Sequence, residues 1–570
     1  MFLSIFVPIV VFSIYVFRHS FGLGFGGDDY LALLDYFRGT GRDSLFNLDF
    51  FLWQYGPQDT LFGGMYHLFG LNPMPFFVLS FMLRMFAVAS IYPLLRKITS
   101  YKLPVFMSML FLATAFAGLE TTSWSFNMAA YLVIVLLNLL ILTLIHGHNG
   151  HTFHFSLLSV MLFFIIIILS PTRMLGLVPF VIFFQAALLL IYRKINFTYF
   201  FGFPLAFLTI LAIGNSVVTG NGLVERINIL VHERTAETSV GAIAIHNSGN
   251  KEVFLYPVEQ LGAIIVPSSS TGQFFSYFFQ TTKGVLVYSL FLSVLTMALI
   301  NGFASFRTKH RVFLLLPAVV SIYFLKTSNI FINDIHFVWF TAGAAFTIII
   351  FCLAISSYKK NKTTSLLVLT AFSWTAGSIF VFWNRFPDSV NITYHRYLIA
   401  PVVGVAILLG IIVSSGKSPA KRMFLALAVL WLIICNTNQT QQYLKNLYNN
   451  RNSTLTKSIT DTYPTVGTLL DTNKQPLVFY FQSNNPEVLY HNVLFGFPAI
   501  VAIREKLDIF PNLVYTDSWE EVKNDYLDGS GLKRFSYSES PVPLENIFSY
   551  YLDSNILIDT TSETRMKLQK

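Results

Sequence analysis

Two adjacent carboxylates follow closely on an apolar N-terminal segment. Residues 1–17 carry no charged side chain, and Asp28 and Asp29 come directly after a pair of glycines. A carboxylate within hydrogen-bond reach of a reacting group can act as a general base. A carboxylate in the first turn of a helix can instead cap that turn and interact favourably with the helix dipole. One acid is sufficient for a cap, so the pair predicts a further function for one of the two, and the spacing does not tell which.

A third acid, Glu120, is the only one in the short stretch "GLETTSW". Its carboxylate could bind a metal ion together with Asp28, orient a reacting group, or be a solvated loop residue. The cofactor is left open, and a divalent metal ion is the one that these acids suggest. Tyr55 and His67, in "WQYGPQ" and "GGMYHLFG", could line a substrate pocket or simply pack within a surface loop.

Cations near the ends of apolar segments are candidates for binding an anion at a membrane surface. They are Arg173, Lys326, Arg385 and Arg396. Charge-assisted hydrogen bonds from such side chains are a strong means of holding a phosphate group. The alternative is that each cation only anchors its helix, with the apolar stem in lipid and the charged head in water.

Arg84 lies near the middle of an apolar segment, "FFVLSFMLRMFAV". A charge at that depth in a bilayer is costly, and such residues usually face the interior of a helical bundle or a water-filled cavity. We therefore expect Arg84 to point inward and to pair with a backbone carbonyl or a polar side chain.

Composition places most of the chain in a membrane. Hydrophobic residues make up 54% of the 570 residues and charged residues 12%, against roughly 25% charged residues in soluble proteins. About thirteen apolar segments approach the roughly 20 residues that a helical span requires. They lie near residues 1–17, 73–95, 103–119, 124–145, 153–170, 174–192, 197–218, 276–300, 311–325, 336–356, 363–383, 397–414 and 421–435.

Lysine and arginine are distributed unevenly among the connections. One set of connections contains fourteen of them and no acid, whereas all fourteen acids of residues 1–435 fall on the other side. Because basic loops remain in the cytoplasm, the N-terminus is predicted inside and the acidic loops outside the cytoplasm. This distribution also accounts for the net charge of +9 without a nucleic-acid partner. The first segment lacks a basic start and a cleavage site, so it is predicted to be a retained anchor.

Residues 436–570 differ in character, with 12 basic and 15 acidic residues. "PLVFYF" and "NILID" predict strands, and "SWEEVKNDYL" predicts a helix with Ser518 as its cap. The fold class predicted is therefore mainly α, a polytopic transmembrane helical bundle with a small C-terminal soluble α/β domain. The transmembrane domain would cover residues 1–435 with a long first outer loop at 18–72, and the C-terminal domain would lie on the outer side.

This organisation resembles the GT-C glycosyltransferases, which include protein O-mannosyltransferases and the aminoarabinose transferase of lipid A. The similarity rests on a first span running outward, an acidic pair in a long first outer loop, about thirteen spans and a soluble C-terminal domain. It implies an integral membrane enzyme that transfers a sugar from a polyprenyl-phosphate donor to a glycan, lipid or protein acceptor. The long "WWDYG"-type signature of oligosaccharyltransferases is absent from residues 436–570, which argues against that branch.

The resemblance also implies roles for the residues singled out above. Asp28 or Asp29 would be the general base, and Glu120 would be the second acid common in this superfamily. An arginine followed by tyrosine late in the chain resembles its phosphate-binding positions, which assigns the donor phosphate to Arg396. The further residues assigned to donor phosphate or sugar are Arg173, Arg385, Lys326, Tyr55 and His67. A bacterial inner or plasma membrane is favoured, or the endoplasmic reticulum membrane if the host is eukaryotic.

Two other functions remain open from the sequence. A polysaccharide polymerase also joins lipid-linked sugars outside the cytoplasm, and residues 219–273 could form the large loop typical of such enzymes. A transporter or flippase would instead predict paired repeats and ionisable residues at mid-membrane. Among the charged residues only Arg84 fits that description, and the sequence contains no evident repeat.

Overall fold

The computed structural model shows a mainly helical chain with one small sheet near its C-terminus. It describes residues 2–39, 56–148, 152–169, 176–217, 251–267, 275, 278–304, 308–328, 330–358, 361–381, 395–463, 475–507 and 512–570.

Helices occupy most of the first 450 residues. They are α1 (Phe2–Val16), α2 (Gly27–Gly39), α3 (Gly56–Phe69), α4 (Met74–Ser90), α5 (Tyr92–Ile98), α6 (Lys102–Thr114), α7 (Glu120–Ser123), α8 (Ala130–His148), α9 (Thr152–Leu169), α10 (Leu177–Tyr192), α11 (Phe197–Val217), α12 (Tyr256–Ile265), α13 (Thr282–Phe303), α14 (Thr308–Thr327), α15 (Asp334–Tyr358), α16 (Lys362–Phe380), α17 (Ile399–Ser414) and α18 (Pro419–Asn450). Short 3-10 turns lie at Ser20–Gly22, Ser125–Ala129, Lys251–Phe254 and His395–Leu398.

Within the described residues, eight helical stretches are long and apolar enough to cross a membrane. Seven of them coincide with predicted spans, and the six predicted spans that remain coincide with shorter apolar helices. The eighth stretch, Pro486–Glu505, is interrupted by a 3-10 turn at Leu494–Gly496 and packs in the core beneath the sheet. We assign it to the C-terminal domain. The count of thirteen crossings remains a prediction.

Helix α18 extends far beyond the segment that was predicted for it. It begins at Pro419 after the Ser418 cap and runs for 32 residues, about 48 Å at 1.5 Å per residue, against a hydrocarbon thickness of about 30 Å. Its second half is polar, with the sequence "NTNQTQQYLKNLYNN". A helix of this length is longer than a membrane crossing requires, and its last turn contacts the C-terminal domain.

The C-terminal domain contains a four-stranded sheet in the order β2-β1-β3-β4. The strands are β1 (Leu477–Ser483), β2 (Leu513–Thr516), β3 (Ile547–Asp553) and β4 (Ile556–Asp559). Strand β1 is parallel to β2 and β3, and β4 is antiparallel to β3. The helices are α19 (Ser453–Thr462), α20 (Pro486–Asn492), α21 (Phe497–Glu505), α22 (Trp519–Leu527) and α23 (Thr561–Leu568). The predicted Ser518 cap is confirmed, since its side chain accepts a hydrogen bond from the Glu521 N–H.

The first long connection and the C-terminal domain share one hydrophobic core. Phe25 and Leu33, at the start of the chain, belong to the same buried cluster as Phe479 and Phe497. Helix α2 packs against α21. Both regions therefore lie at the same end of the helical bundle.

Candidate functional site

The N-terminus of helix α2 carries the adjacent acids, and the structure separates their roles. Asp29 is fully buried, and its Oδ2 accepts a hydrogen bond from the backbone N–H of Gly26 at 2.8 Å. Ser125 Oγ lies 3.4 Å from the other oxygen. A carboxylate at the third helical position that reaches back to the cap residue is one half of a capping box. Burial raises the pKa of Asp29 to about 6, although the charge of Arg451 opposes this.

Asp28, by contrast, is only half-buried. Burial raises the pKa of its carboxyl, and the charges of Arg396, Arg451 and His491 lower it in part. Within the described residues, no hydrogen bond to this carboxylate contributes to its pKa. Asp28 is therefore the member of the pair whose carboxylate is available to a substrate, while Asp29 holds the turn.

Glu120 and Arg396 form an ion pair. Arg396 Nη1 donates to Glu120 Oε1 at 2.7 Å, and the Arg396 backbone N–H donates to Oε2 at 3.2 Å. Each side chain is 14% exposed. The Arg396 guanidinium also lies over the rings of Trp124, at 4.4 Å, and Tyr397, at 5.1 Å. Glu120 thus fixes a cation in place and leaves it accessible at one edge.

Arg451 completes this arrangement, and the sequence analysis missed it. It follows the last turn of α18, and its Nη2 donates to the carbonyl of Ser123 at 2.8 Å. Its Nε is buried and has no hydrogen-bond partner among the described residues. We call Asp28, Asp29, Glu120, Arg396 and Arg451 the charged cluster. The available signal was a helical pattern that continues through polar residues past Cys435 and ends on a cation.

Arg84 supports the segment that carries Glu120, and the prediction that it points inward is confirmed. The side chain is 2% exposed and lies 4.8 Å from the centre of the Phe17 ring. Its three nitrogens donate to five acceptors in the adjoining segment, namely the carbonyls of Leu112, Ala113 and Ala115 and the hydroxyls of Thr122 and Tyr131.

The other candidate residues fall outside this cluster. Lys326 forms an ion pair with Asp334 and lies over the rings of Phe279 and Phe337 at 5.1 and 5.5 Å. His67 is exposed on α3, and its ring packs against Tyr36 and Tyr66. Tyr55, Arg173 and Arg385 lie outside the described residues.

A second polar cluster lies at the start of α15. Its members, Glu252, Glu259 and His336, are fully buried. His336 Nδ1 lies 2.8 Å from Glu252 Oε1 and 3.3 Å from Glu259 Oε2. This Glu–Glu–His triad offers donor atoms that could hold a metal ion. This triad is hard to predict from the sequence, because His336 lies far from Glu252 and Glu259 along the chain.

Comparison with protein-family models, with curated proteins and with solved structures finds no match for this chain. The charged cluster combines a half-buried carboxylate with two arginines at one end of a bundle of apolar helices. Such a set can accept a proton and stabilise a negative charge in the same place.

Proposed function

We propose that this chain is a membrane glycosyltransferase of the GT-C type, using a sugar carried on a polyprenyl phosphate. The observation that carries the proposal is the half-buried Asp28 carboxylate in the field of Arg396 and Arg451. A lipid-linked sugar brings its phosphate to the membrane surface, where cations must bind it. An acceptor from the aqueous side needs a base at the same place.

In the proposed reaction an acceptor hydroxyl attacks the anomeric carbon of the donor sugar. Asp28 takes the hydroxyl proton, the new glycosidic bond forms, and the bond between the anomeric carbon and the phosphate oxygen breaks. The polyprenyl phosphate leaves with the bonding electrons. Arg396 and Arg451 stabilise the charge that develops on it. Glu120 holds Arg396 in position, and Asp29 holds the turn that presents Asp28.

An apolar cavity gives the lipid chain a place to lie. It has a volume of about 380 Å³ between α13, α15 and α18, with Ile265 and Val266 in its lining. The Ile265 carbonyl accepts a hydrogen bond from Asn436, whose side chain accepts one from the Phe116 N–H. This chain of contacts joins the cavity to the segment that carries Glu120.

The alternatives differ from this reaction in the acceptor or in the need for a base. A polysaccharide polymerase would use the same cluster with a second lipid-linked glycan as acceptor, so it differs only in the acceptor. A flippase would need the cations but no base. The role of the Asp28 carboxylate therefore separates an enzyme from a transporter.

The decisive experiment compares Asp28→Asn with Asp29→Asn. The protein is reconstituted in lipid vesicles with a panel of labelled polyprenyl-phosphate sugars, and transfer to acceptors in membrane extracts is measured. We expect Asp28→Asn to lower transfer by about 10²-fold or more, the usual reach of general base catalysis. Asp29→Asn keeps an oxygen for the Gly26 N–H and is expected to retain most activity.

Wild-type transfer by Asp28→Asn would refute the assignment of the base. Donor translocation across the vesicle membrane without any sugar transfer, by the wild-type protein, would favour the flippase.

A further inference from the structure

The Glu252, Glu259 and His336 triad is enclosed by protein on every side. All three side chains are fully buried, and their donor atoms lie within 4.8 Å of one another. A second hydrogen bond orients the Glu252 carboxylate, since its Oε2 accepts a hydrogen bond from the backbone N–H of Ile332 at 3.0 Å. The ring of His336 stacks on Trp339 at 5.4 Å. Glu252 and His336 are thus fixed in direction before anything binds.

Hydrogen bonding within the triad leaves one carboxylate poorly satisfied. His336 Nδ1 can donate only one proton, and Glu252 Oε1 is the nearer acceptor. Neither oxygen of Glu259 has a hydrogen-bond partner among the described residues. Two buried carboxylates so close together repel each other, and burying an unpaired charge is costly. A cation between them would remove both penalties.

We propose that the triad binds one divalent transition-metal ion of the Zn²⁺ class through Glu252, Glu259 and His336. Zinc bonds of about 2.0–2.2 Å to carboxylate oxygen and imidazole nitrogen place the ligand atoms of a tetrahedral site roughly 3.4 Å apart. His336 Nδ1 lies 2.8 Å from Glu252 Oε1 and 3.3 Å from Glu259 Oε2. To admit an ion, only the shorter of these two distances needs to increase, and by a small amount. An imidazole ligand favours such a metal over Mg²⁺ or Ca²⁺, which prefer oxygen.

The ion would fasten two segments that approach each other closely. Helix α12 packs along α15, and glycines make the approach possible. A side chain at Gly262 would overlap the carbonyl of Trp339, and one at Gly343 would overlap the carbonyl of Val258. Glu259 lies on α12 and His336 on α15. A metal bonded to both would hold them together, a structural role that does not depend on the proposed glycosyl transfer.

The test uses the full-length protein purified in detergent. After removal of metal with a chelator and dialysis against Zn²⁺, we expect one zinc per chain by elemental analysis and a higher melting temperature. Glu259→Gln keeps the shape of the side chain but is a far weaker ligand. It is expected to lower zinc affinity by about 100-fold or more. Asp334→Asn removes an acid on the helix that carries His336, outside the triad. It is the control and should bind zinc like wild type.

A measurement on the wild-type protein covers the case in which Glu259→Gln does not fold. Co²⁺ in place of Zn²⁺ should give the visible absorption bands of a four-coordinate site with nitrogen and oxygen ligands, and excess Mg²⁺ should not abolish them. Less than stoichiometric zinc in the wild type, or equal zinc affinity in Glu259→Gln and wild type, would overturn the proposal.

Discussion

At the scale of single residues, burial decides which of two identical side chains can do chemistry. Asp28 and Asp29 are neighbours in one helical turn, yet Asp28 is half-buried and Asp29 fully buried. The buried acid binds the Gly26 N–H and fixes the geometry of the turn. The half-buried acid, Asp28, is left with two arginines in its surroundings. The cap and the base proposed here are therefore different residues of the same pair.

Asp29 should leave a signature in the pH dependence of stability. Its pKa is raised to about 6 in the folded protein, against about 3.9 in an unfolded chain. Between these values the folded state binds more protons than the unfolded state, so its stability falls as pH rises from about 4 to 6. Asp29→Asn should remove this fall. The measurement is the melting temperature of both proteins in detergent from pH 4 to 8, and parallel curves would contradict the assignment.

We expect Arg396 to bind the phosphate of the lipid donor in addition to its ion pair with Glu120. Arg396→Ala removes a charge-assisted hydrogen bond worth roughly 1.5–3 kcal/mol, so the KM for the lipid donor should rise by about tenfold or more. This variant also leaves Glu120 partly buried without its partner, which lowers stability. The double variant Arg396→Ala/Glu120→Gln should recover melting temperature but not donor KM. Recovery of both would show that the pair is only structural.

At the scale of elements, short segments are held by side chains from distant helices. Helix α7 has only four residues and cannot hold its own geometry, because so short a helix is unstable alone. Arg84 from α4 binds the carbonyls before it, and Arg451 from the end of α18 binds the Ser123 carbonyl. Glu120 is thus positioned by two arginines that lie far from it in sequence.

Removal of Arg84 should therefore disturb the charged cluster from a distance. Arg84→Met leaves buried carbonyls without a donor, and we expect a loss of about 3 kcal/mol or more of stability. In Arg84→Met, the backbone amides of residues 115–124 should exchange their hydrogens faster than in the wild type, while exchange in the rest of the helical bundle stays slow. Arg84→Lys keeps the charge but makes fewer hydrogen bonds. Its stability should therefore lie between those of the wild type and Arg84→Met. Unchanged exchange in that segment in Arg84→Met would show that the segment is held by other contacts.

The elements were largely predictable because hydrophobicity and length decide them. Each predicted apolar segment coincides with a helix, and "PLVFYF" and "NILID" correspond to strands. The charged cluster was predictable only in part. Asp28, Glu120 and Arg396 stood out as ionisable residues at the ends of apolar segments. Arg451 did not, because its place depends on how far a polar helix continues, and contacts between residues so distant in sequence leave no local pattern.

At the scale of the whole molecule, neighbouring apolar cavities lie between the helices. One cavity, of about 380 Å³, includes Ala342 in its lining, and another, of about 410 Å³, includes Ala344 two residues further along the same helix. The first is linked by hydrogen bonds, through Asn436, to the segment of Glu120. The two alanines therefore form a matched pair for testing where the lipid chain lies.

Filling the first cavity should block the donor. Ala342→Phe places a ring in empty space, so it should fold with little loss of stability, and we expect the KM for a long-chain polyprenyl donor to rise by about tenfold. Ala344→Phe fills the second cavity and should leave the KM unchanged. Neither substitution should change the KM for a short-chain donor. Equal effects of the two substitutions on long-chain donor use would place the lipid elsewhere.

The core shared between the two ends of the chain has a consequence for how the protein is made. Leu23 pairs with Asn452, the Phe25 N–H donates to Thr456 at 2.9 Å, and a Cβ at Gly27 would lie 2.9 Å from the nitrogen of Gly496. During synthesis, the helix that bears Asp28 emerges hundreds of residues before these partners exist. Until the ribosome has released the C-terminal domain and that domain has reached the same side of the membrane, the part of this helix that packs on that domain stays uncovered. Completion of the chain is thereby the step that assembles the charged cluster.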